Sequence, residues 1–231
     1  PYVHLYNTKG PAVYRALDYR PSSSRFCLFS SEFSPLSTEI LSGASDHCVY
    51  LYDLERNERT HRIAGHDDDV NAICWLDDSG QLFASGSDDR LVCVWDRRLL
   101  DSGAEDEAHT NDFVDFLGQR QSRPSTSLNA RRGCVGAFVG HQRGVTCVSA
   151  RGDGRYLLSN GKDHCAKLWD LRHTSPQVEA RQAARAIPSM HYDYRRGGRR
   201  MPTSMRLHTR DTSLMSYFGG HQVYNTLLRA H

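Results

Sequence analysis

Histidine, serine and aspartate together are the equipment of a nucleophilic hydrolase: a general base, a hydroxyl nucleophile and an orienting acid. This sequence carries such a set twice, as His66, Ser85 and Asp89 and again as His141, Ser159 and Asp163. The spacing argues against catalysis. In both copies the aspartate follows the serine by four residues, and a tryptophan follows the aspartate by six, at Trp95 and Trp169. A reaction centre is needed once, whereas a set that recurs at fixed spacing is a building rule. Neither serine lies in a Gly-x-Ser-x-Gly elbow. The reading is therefore two structural tetrads, with no catalytic residue, no cofactor and no metal site expected.

The elements that must position these residues can be read from the stretch Gly65–Asp96, GHDDDVNAICWLDDSGQLFASGSDDRLVCVWD. Three apolar-rich runs, Val70–Trp75, Leu82–Ser87 and Leu91–Trp95, have strand length. Between them lie the turn signals Asp77-Asp78-Ser79-Gly80 and Asp88-Asp89-Arg90. The stretch from Gly140 repeats the plan with Val145–Ala150, Arg155–Asn160 and Cys165–Trp169. An earlier, degenerate copy has Arg25–Phe33, Ile40–Ala44 and Cys48–Asp53, with Asp46 in its turn and Tyr52-Asp53 in place of Trp-Asp. Asp53 and Asp96 are 43 residues apart. Fourth strands are predicted at Arg59–Ala64, Val135–Val139 and Ser213–Phe218. Tyr2–Tyr6 and Val13–Leu17 read as the end of a preceding unit, and Gln222–Arg229 as the start of another.

This Gly-His…Trp-Asp unit resembles the blade of a WD-repeat propeller, a twisted four-stranded sheet that buries both faces against its neighbours. The resemblance implies an all-β fold: a partial propeller of about four blade equivalents from a probable seven- or eight-bladed whole. Four blades in mid-register would leave apolar faces and sheet edges open. With Pro1 at the start, the expectation is a fragment of a longer chain, continuing at both ends. The resemblance also gives the tetrads an order, from Trp Nε1 through serine and histidine to aspartate.

Asp96 and Asp170 are 74 residues apart although the two units are nearly equal in length, so the excess lies in loops between third and fourth strands. Within the span 1–231 two insertions are predicted. Residues 101–132 are acidic, then basic; residues 172–211 are arginine-rich. Both are expected to be largely irregular and solvated, with a short helix near Asp112–Leu117 and more mobility in 172–211 than in the flanking strands. From 171 to 210 there are nine arginines and two acids, including Arg195-Arg196-Gly197-Gly198-Arg199-Arg200. That composition fits a solvated loop, a contact to an acidic protein face, or a nucleic-acid backbone. Against the last stands a net charge of only +2. No apolar run approaches the roughly 20 residues of a membrane span, so no membrane partner is expected. Seven cysteines without a Cys-x-x-Cys pair read as small buried hydrophobes, with Cys27 and Cys134 as the loose candidates for redox sensing.

The sharper feature is Trp-Asp-x-Arg, in Trp95-Asp96-Arg97-Arg98 and Trp169-Asp170-Leu171-Arg172. An arginine leaving a strand at a fixed rim position is either an anchor for a partner carboxylate or carbonyl, or half of an ion pair within its blade. In tandem the motif resembles the box of WD-repeat substrate receptors of cullin-four ubiquitin ligases. The runs HDDDVNAICW, FASGSDDRLVCVWDRR, GHQRGVTCV, YLLSNGKDHCAKLWDLR, RQAARAIPSMHYDYR and SLMSYFGGHQVYNTLLRAH resemble, within these receptors, the family of cullin-four-associated factor eleven. That resemblance implies a non-catalytic substrate receptor in the nucleus and cytoplasm. It would dock on the adaptor damaged-DNA-binding protein one, and through it on cullin-four, and present an unknown protein substrate for ubiquitination. The family's adaptor-binding positions fall on Arg98 and Arg172, with Asp96 and Asp170 beside them. Leu82–Gly86, Asp89 and Trp95 support one box, and Tyr156–Asn160, Asp163 and Trp169 the other. The alternative is a general WD-repeat scaffold, or a nucleic-acid-binding propeller using the arginine-rich insertion.

Overall fold

The computed structural model describes residues 2–9, 14–19, 26–100, 133–187, 212 and 215–218. They form one two-stranded and three four-stranded antiparallel sheets. The first sheet pairs β1 (Tyr2–Tyr6) with β2 (Tyr14–Asp18). The second runs β3 (Leu28–Phe33), β4 (Glu39–Ala44), β5 (Cys48–Asp53) and β6 (Glu58–Ala64). The third runs β7 (Val70–Trp75), β8 (Leu82–Ser87), β9 (Leu91–Asp96) and β10 (Cys134–Val139). In the fourth are β11 (Val145–Ala150), β12 (Tyr156–Gly161), β13 (Ala166–Asp170) and β14 (Met215–Phe218). Each full sheet is a meander in chain order, so sequence neighbours are sheet neighbours.

Sheet-on-sheet burial holds the blades together. Leu41, Val49, Leu51 and Ile63 of the second sheet pack against Ile73, Phe83, Leu91 and Trp95 of the third. On the third sheet's other face, Ala84, Val92, Val94 and Phe138 meet Val145, Val148, Leu157 and Trp169 of the fourth. A strand buried on both faces needs apolar side chains at odd and even positions alike, which is why VNAICW and LVCVWD lack a two-residue alternation. All six residues are buried in both strands. The inner ladder carries the same irregularity in all three full blades: the register slips after the first pair, between Leu28 and Ser30, Val70 and Ala72, and Val145 and Cys147. A recurring bulge adds local twist where the blades crowd together. Cys48, Cys74, Cys93 and Cys147 are buried strand residues and Cys165 is buried just before β13; Cys134 is half-buried and Cys27 exposed.

The expectation of an irregular loop after Arg172 fails in its first part. Residues 172–187 pack against the third blade in regular structure. Ala137 of β10 exchanges two backbone hydrogen bonds with Ser175, of 2.8 and 3.0 Å. Further along the same edge, Thr212 donates its amide to the Val139 carbonyl at 2.8 Å. Between these points runs α1 (Gln177–Ala186), which sends Ala180, Ala184 and the following Ile187 into the core beside Trp95 and Val139. The insertion therefore straps the outer edge of β10 and satisfies donors and acceptors that an open edge strand would present. Alanine at i and i+4 is a weak periodic signal, and this is the physical reason the helix escaped a reading based on hydrophobic periodicity. Residues 101–132 with their expected helix, residues 188–211 with the double-arginine run, and the expected strand at Gln222–Arg229 all lie outside the described residues.

Packing of α1 sets a test. Ala184→Asp, which buries a carboxylate against an apolar core, is expected to cost on the order of 3 kcal/mol. In the full-length protein, trypsin should spare Arg181 and Arg185 until that substitution frees the helix. Early cleavage at these two arginines in the unsubstituted protein would contradict the docked helix.

Candidate functional site

Each site begins with a tryptophan. Trp95 is fully buried and stacks on Phe83, ring centroids 6.2 Å apart. Its Nε1 donates to Ser85 Oγ at 2.7 Å; Ser85 Oγ lies 2.7 Å from His66 Nε2, and His66 Nδ1 lies 2.8 Å from Asp89 Oδ2. Asp89 only accepts, so Nδ1 carries the proton and the serine hydroxyl donates to Nε2. Two backbone amides, of Asp67 and Leu91, complete the Asp89 carboxylate at 3.0 Å each. The fourth blade repeats the chain: Trp169 to Ser159 and Ser159 to His141 are both 2.7 Å, and His141 meets Asp163 at 3.0 Å. Both serine hydroxyls are buried and engaged from both sides. Both sets are architecture; neither offers a nucleophile to a substrate.

The degenerate blade replaces this chain rather than losing it. Ser42 donates to Tyr19 OH at 3.3 Å, the bond its counterparts give to histidine. Asp46 instead takes the Tyr50 hydroxyl at 2.5 Å and Arg62 Nη2 at 3.2 Å. Burial pushes the Tyr19 hydroxyl up to about 12, and burial with the neighbouring Asp46 pushes Tyr50 higher still. The sequence signal was the aromatic trio Tyr19, Tyr50 and Tyr52, where the regular blades have one tryptophan.

Once the tryptophan is fixed, the next residues reach the rim. Register pairs Glu39 with Asp53, Leu82 with Asp96 and Tyr156 with Asp170, so these aspartates end their strands on one face of the blades. Asp96 caps a short 3-10 turn, Arg97–Leu99, by accepting the Arg98 amide at 2.9 Å. The same carboxylate takes the Arg98 side chain as a fork, Nε to Oδ1 at 2.9 Å and Nη2 to Oδ2 at 2.6 Å. Asp170 does the same for Arg172, with Nε at 2.9 Å and Nη2 at 2.5 Å, after capping Leu171–His173. The guanidinium of Arg172 holds the Asp170 carboxyl well below the usual carboxylate range, and Arg98 lowers that of Asp96. Each arginine is raised in turn by its aspartate.

Both alternatives open for these arginines thus hold at once. Each is paired within its blade, yet their side chains stay 67% and 60% exposed while the aspartates are buried at 11% and 1%. The carboxylate orients the fork through Nε and Nη2, while most of each arginine side chain stays exposed. The second blade has the opposite charge at this offset. Asp53 caps the Glu55 and Arg56 amides at 2.8 and 2.9 Å, so the rim position is Glu55. Between the second and third blades Arg97 reaches back to Glu39 in a two-pronged pair, Nη2 to Oε1 being 2.6 Å. This pair beside the rim was not read from the sequence, because it joins residues 58 apart.

Two segments match the model of the family described as WD domain, G-beta repeat: residues 57–96 and 132–170. With four antiparallel sheets and two complete tetrads, the chain is a WD-repeat protein with a partial β-propeller fold. Part of the crystal structure of a mitotic checkpoint complex shares this fold at TM-score 0.55 and 22% identity, over 76% of this chain and 44% of that one. The chain is homologous to the LEC14B protein of Lithospermum erythrorhizon, at 36% identity over 89% of its length. It is likewise homologous to the DDB1- and CUL4-associated factor 11 homolog of Caenorhabditis elegans, at 34% over 93%. It spans 37% and 33% of the length of those two relatives.

Two measurements follow from the tetrads. Trp95→Ala is expected to destabilise by about 3–5 kcal/mol, as a large buried aromatic is lost. Trp95→Phe retains the stack and loses only the donor to Ser85, about 1–3 kcal/mol. Equal costs in denaturant unfolding of the full-length protein would show that the hydrogen bond carries no weight. Asp89 and Asp163 are lowered from their ordinary value: burial works against this, but each paired histidine and the accepted backbone amides outweigh it. A lowered folded value means their stabilisation is complete above the unfolded carboxylate value of about 3.9 and is lost as pH falls through the lower folded value. The unfolding free energy should drop with acid below that point, and Asp163→Asn should flatten the drop. An unchanged slope in that variant would contradict the assignment.

Proposed function

We propose that this chain is the propeller part of a non-catalytic substrate receptor of a cullin-4 ubiquitin ligase, docking on the adaptor DDB1 through Arg98 and Arg172. The observation that carries the reading is the pair of exposed arginine forks, each fixed by the aspartate of its own repeat and both on one rim. Homology to a DDB1- and CUL4-associated factor 11 homolog supports the choice of partner. A guanidinium already held in one geometry gives up less side-chain entropy on binding than a free one, so it makes an efficient anchor. The position two beyond the aspartate also differs in charge between blades: it is Glu55 on the second, where the next residue Arg56 pairs with Asp53, and Arg98 and Arg172 on the third and fourth. An adaptor surface with acids opposite the arginines and a base opposite Glu55 would fix the orientation. The receptor's contribution to ubiquitin transfer is then proximity, by holding a target protein near the transfer machinery. Nucleus and cytoplasm are the compartments in which this role would be exercised.

The test uses the full-length protein. Arg98→Ala with Arg172→Ala should reduce adaptor affinity at least about tenfold, the scale of losing anchor residues, with the unfolding midpoint nearly unchanged. The corresponding double lysine variant, which keeps the charge but loses the fork, should also bind weakly. Wild-type recovery of adaptor by the alanine variant would remove the mechanism. Unfolding of that variant would instead assign the two arginines to blade stability alone.

A further inference from the structure

The opposite ends of the blades, where second strands turn into third and fourth strands lead into the next blade, carry a second feature. In all three full blades the turn between second and third strands ends on a residue with positive φ: His47 at 67°, Arg90 at 76° and His164 at 60°. The turn thus holds a basic side chain at one fixed place in every blade. Opposite it lies the loop entering the next blade, and the two such loops align without a gap: Gly65-His66-Asp67-Asp68-Asp69 against Gly140-His141-Gln142-Arg143-Gly144.

The two junctions have opposite electrostatics. Between the second and third blades the loop is acidic. Burial, Asp68 and Asp88 push Asp69 up, and His47 counteracts them, so base faces acid. Between the third and fourth blades the position of Asp68 is taken by Arg143. Base faces base: burial lowers Arg90, and Arg143 adds to this against the opposing pull of the neighbouring Asp89. Both acids among the described residues that touch this loop are committed elsewhere: Asp163 accepts from the Gln142 amide at 2.9 Å and pairs with His141, and the other is Asp88. It binds Lys162 at 2.6 Å through both oxygens and Asn71 at 2.7 Å, and it packs so closely on Gly144 that a side chain there would collide with it. Asp89 is held by His66. Arg90 spends one prong on the Ile187 carbonyl at 3.1 Å, just past α1. Arg143 Nε and Nη2 are buried and have no hydrogen-bond partner among the described residues. Arg143 as a whole is only half-buried, and two unmatched donors on a guanidinium near a second one favour an anion that completes them.

We infer that Arg90 and Arg143 form a receiving site for a carboxylate in an acidic segment of a partner protein, on the face opposite the Asp96–Arg98 rim. Forked donors match the two oxygens of a carboxylate. Asp67, Asp68, Asp69 and Asp88 lie on the same face and oppose a polyanionic strand, which favours one localised negative charge over a nucleic-acid backbone. The site stands whether or not the rim binds the adaptor.

The probe is a fluorescein-labelled peptide carrying two adjacent glutamates, measured by polarisation with the full-length protein. A glutamine twin, a phosphoserine twin and a short single-stranded DNA are run beside it. The glutamate peptide should bind and the glutamine twin should not. Arg143→Ala should weaken binding at least about tenfold, the scale for removing one partner of a desolvated charge pair. Its unfolding midpoint without peptide should equal or exceed the wild-type value, because a like-charge contact is removed. Arg143→Lys, which keeps the charge without the fork, should lose most of the binding as well. Arg98→Ala with Arg172→Ala should bind the peptide normally, which separates this site from the rim. No binding of the glutamate peptide, equal binding by the Arg143 variants, or binding of only the phosphoserine peptide or the DNA would each overturn the inference.

Discussion

The hydrogen bond from a buried tryptophan to a buried serine is the constraint on which the regular blades depend. Leaving Trp95 Nε1 unpaired in the core would be costly, so it fixes Ser85 opposite it; Ser85 fixes His66, and His66 fixes Asp89. Four residues from the loop, the second strand, the turn and the third strand are locked by one proton-ordered chain. Gly65 shows how tight the arrangement is, since a side chain there would run into the Trp95 ring. The Asp96–Arg98 rim inherits this rigidity. Asp96 follows Trp95 directly, and Arg98 lies two residues beyond, so their direction is set by a tryptophan that points the other way.

The same chain makes the two faces of the blades independent in chemistry. One face collects the strand ends at Asp53, Asp96 and Asp170 with Glu55, Arg98 and Arg172 beyond them. The other collects the turns at His47, Arg90 and His164 and the loops at Asp67–Asp69 and Gln142–Gly144. The segment after Arg172 crosses between them along the β10 edge, leaving one face at Arg172 and meeting the other where Gln177 binds the Gly65 carbonyl and Arg181 binds Asp67. It closes an edge strand and joins the two surfaces, both with one short helix.

What could be read from the sequence was what repeats. The strands of the third and fourth blades, both tetrads, and the two arginines came from spacing, because the same physical problem is solved twice with the same residues. The degenerate blade was placed by Asp46 and Tyr52-Asp53, but its Tyr50–Asp46–Arg62 network was not, since no second copy displays it. Non-local pairs were equally hidden: Arg97 with Glu39, Arg181 with Asp67, and Ser175 with Ala137 join residues with no pattern between them. The helix at Gln177–Ala186 was missed because its buried face is made of alanines within an arginine-rich stretch. Arg143 became informative only when its loop could be set against the acidic loop of the previous blade and its burial seen.

The most direct measurement of the central claim is a structure of the full-length protein bound to DDB1. The account predicts that the Asp96–Arg98 and Asp170–Arg172 forks both lie inside the interface, each guanidinium hydrogen-bonded to a carboxylate or carbonyl of the adaptor, with Glu55 near a basic group. An adaptor seated elsewhere, with both forks facing solvent, would contradict it.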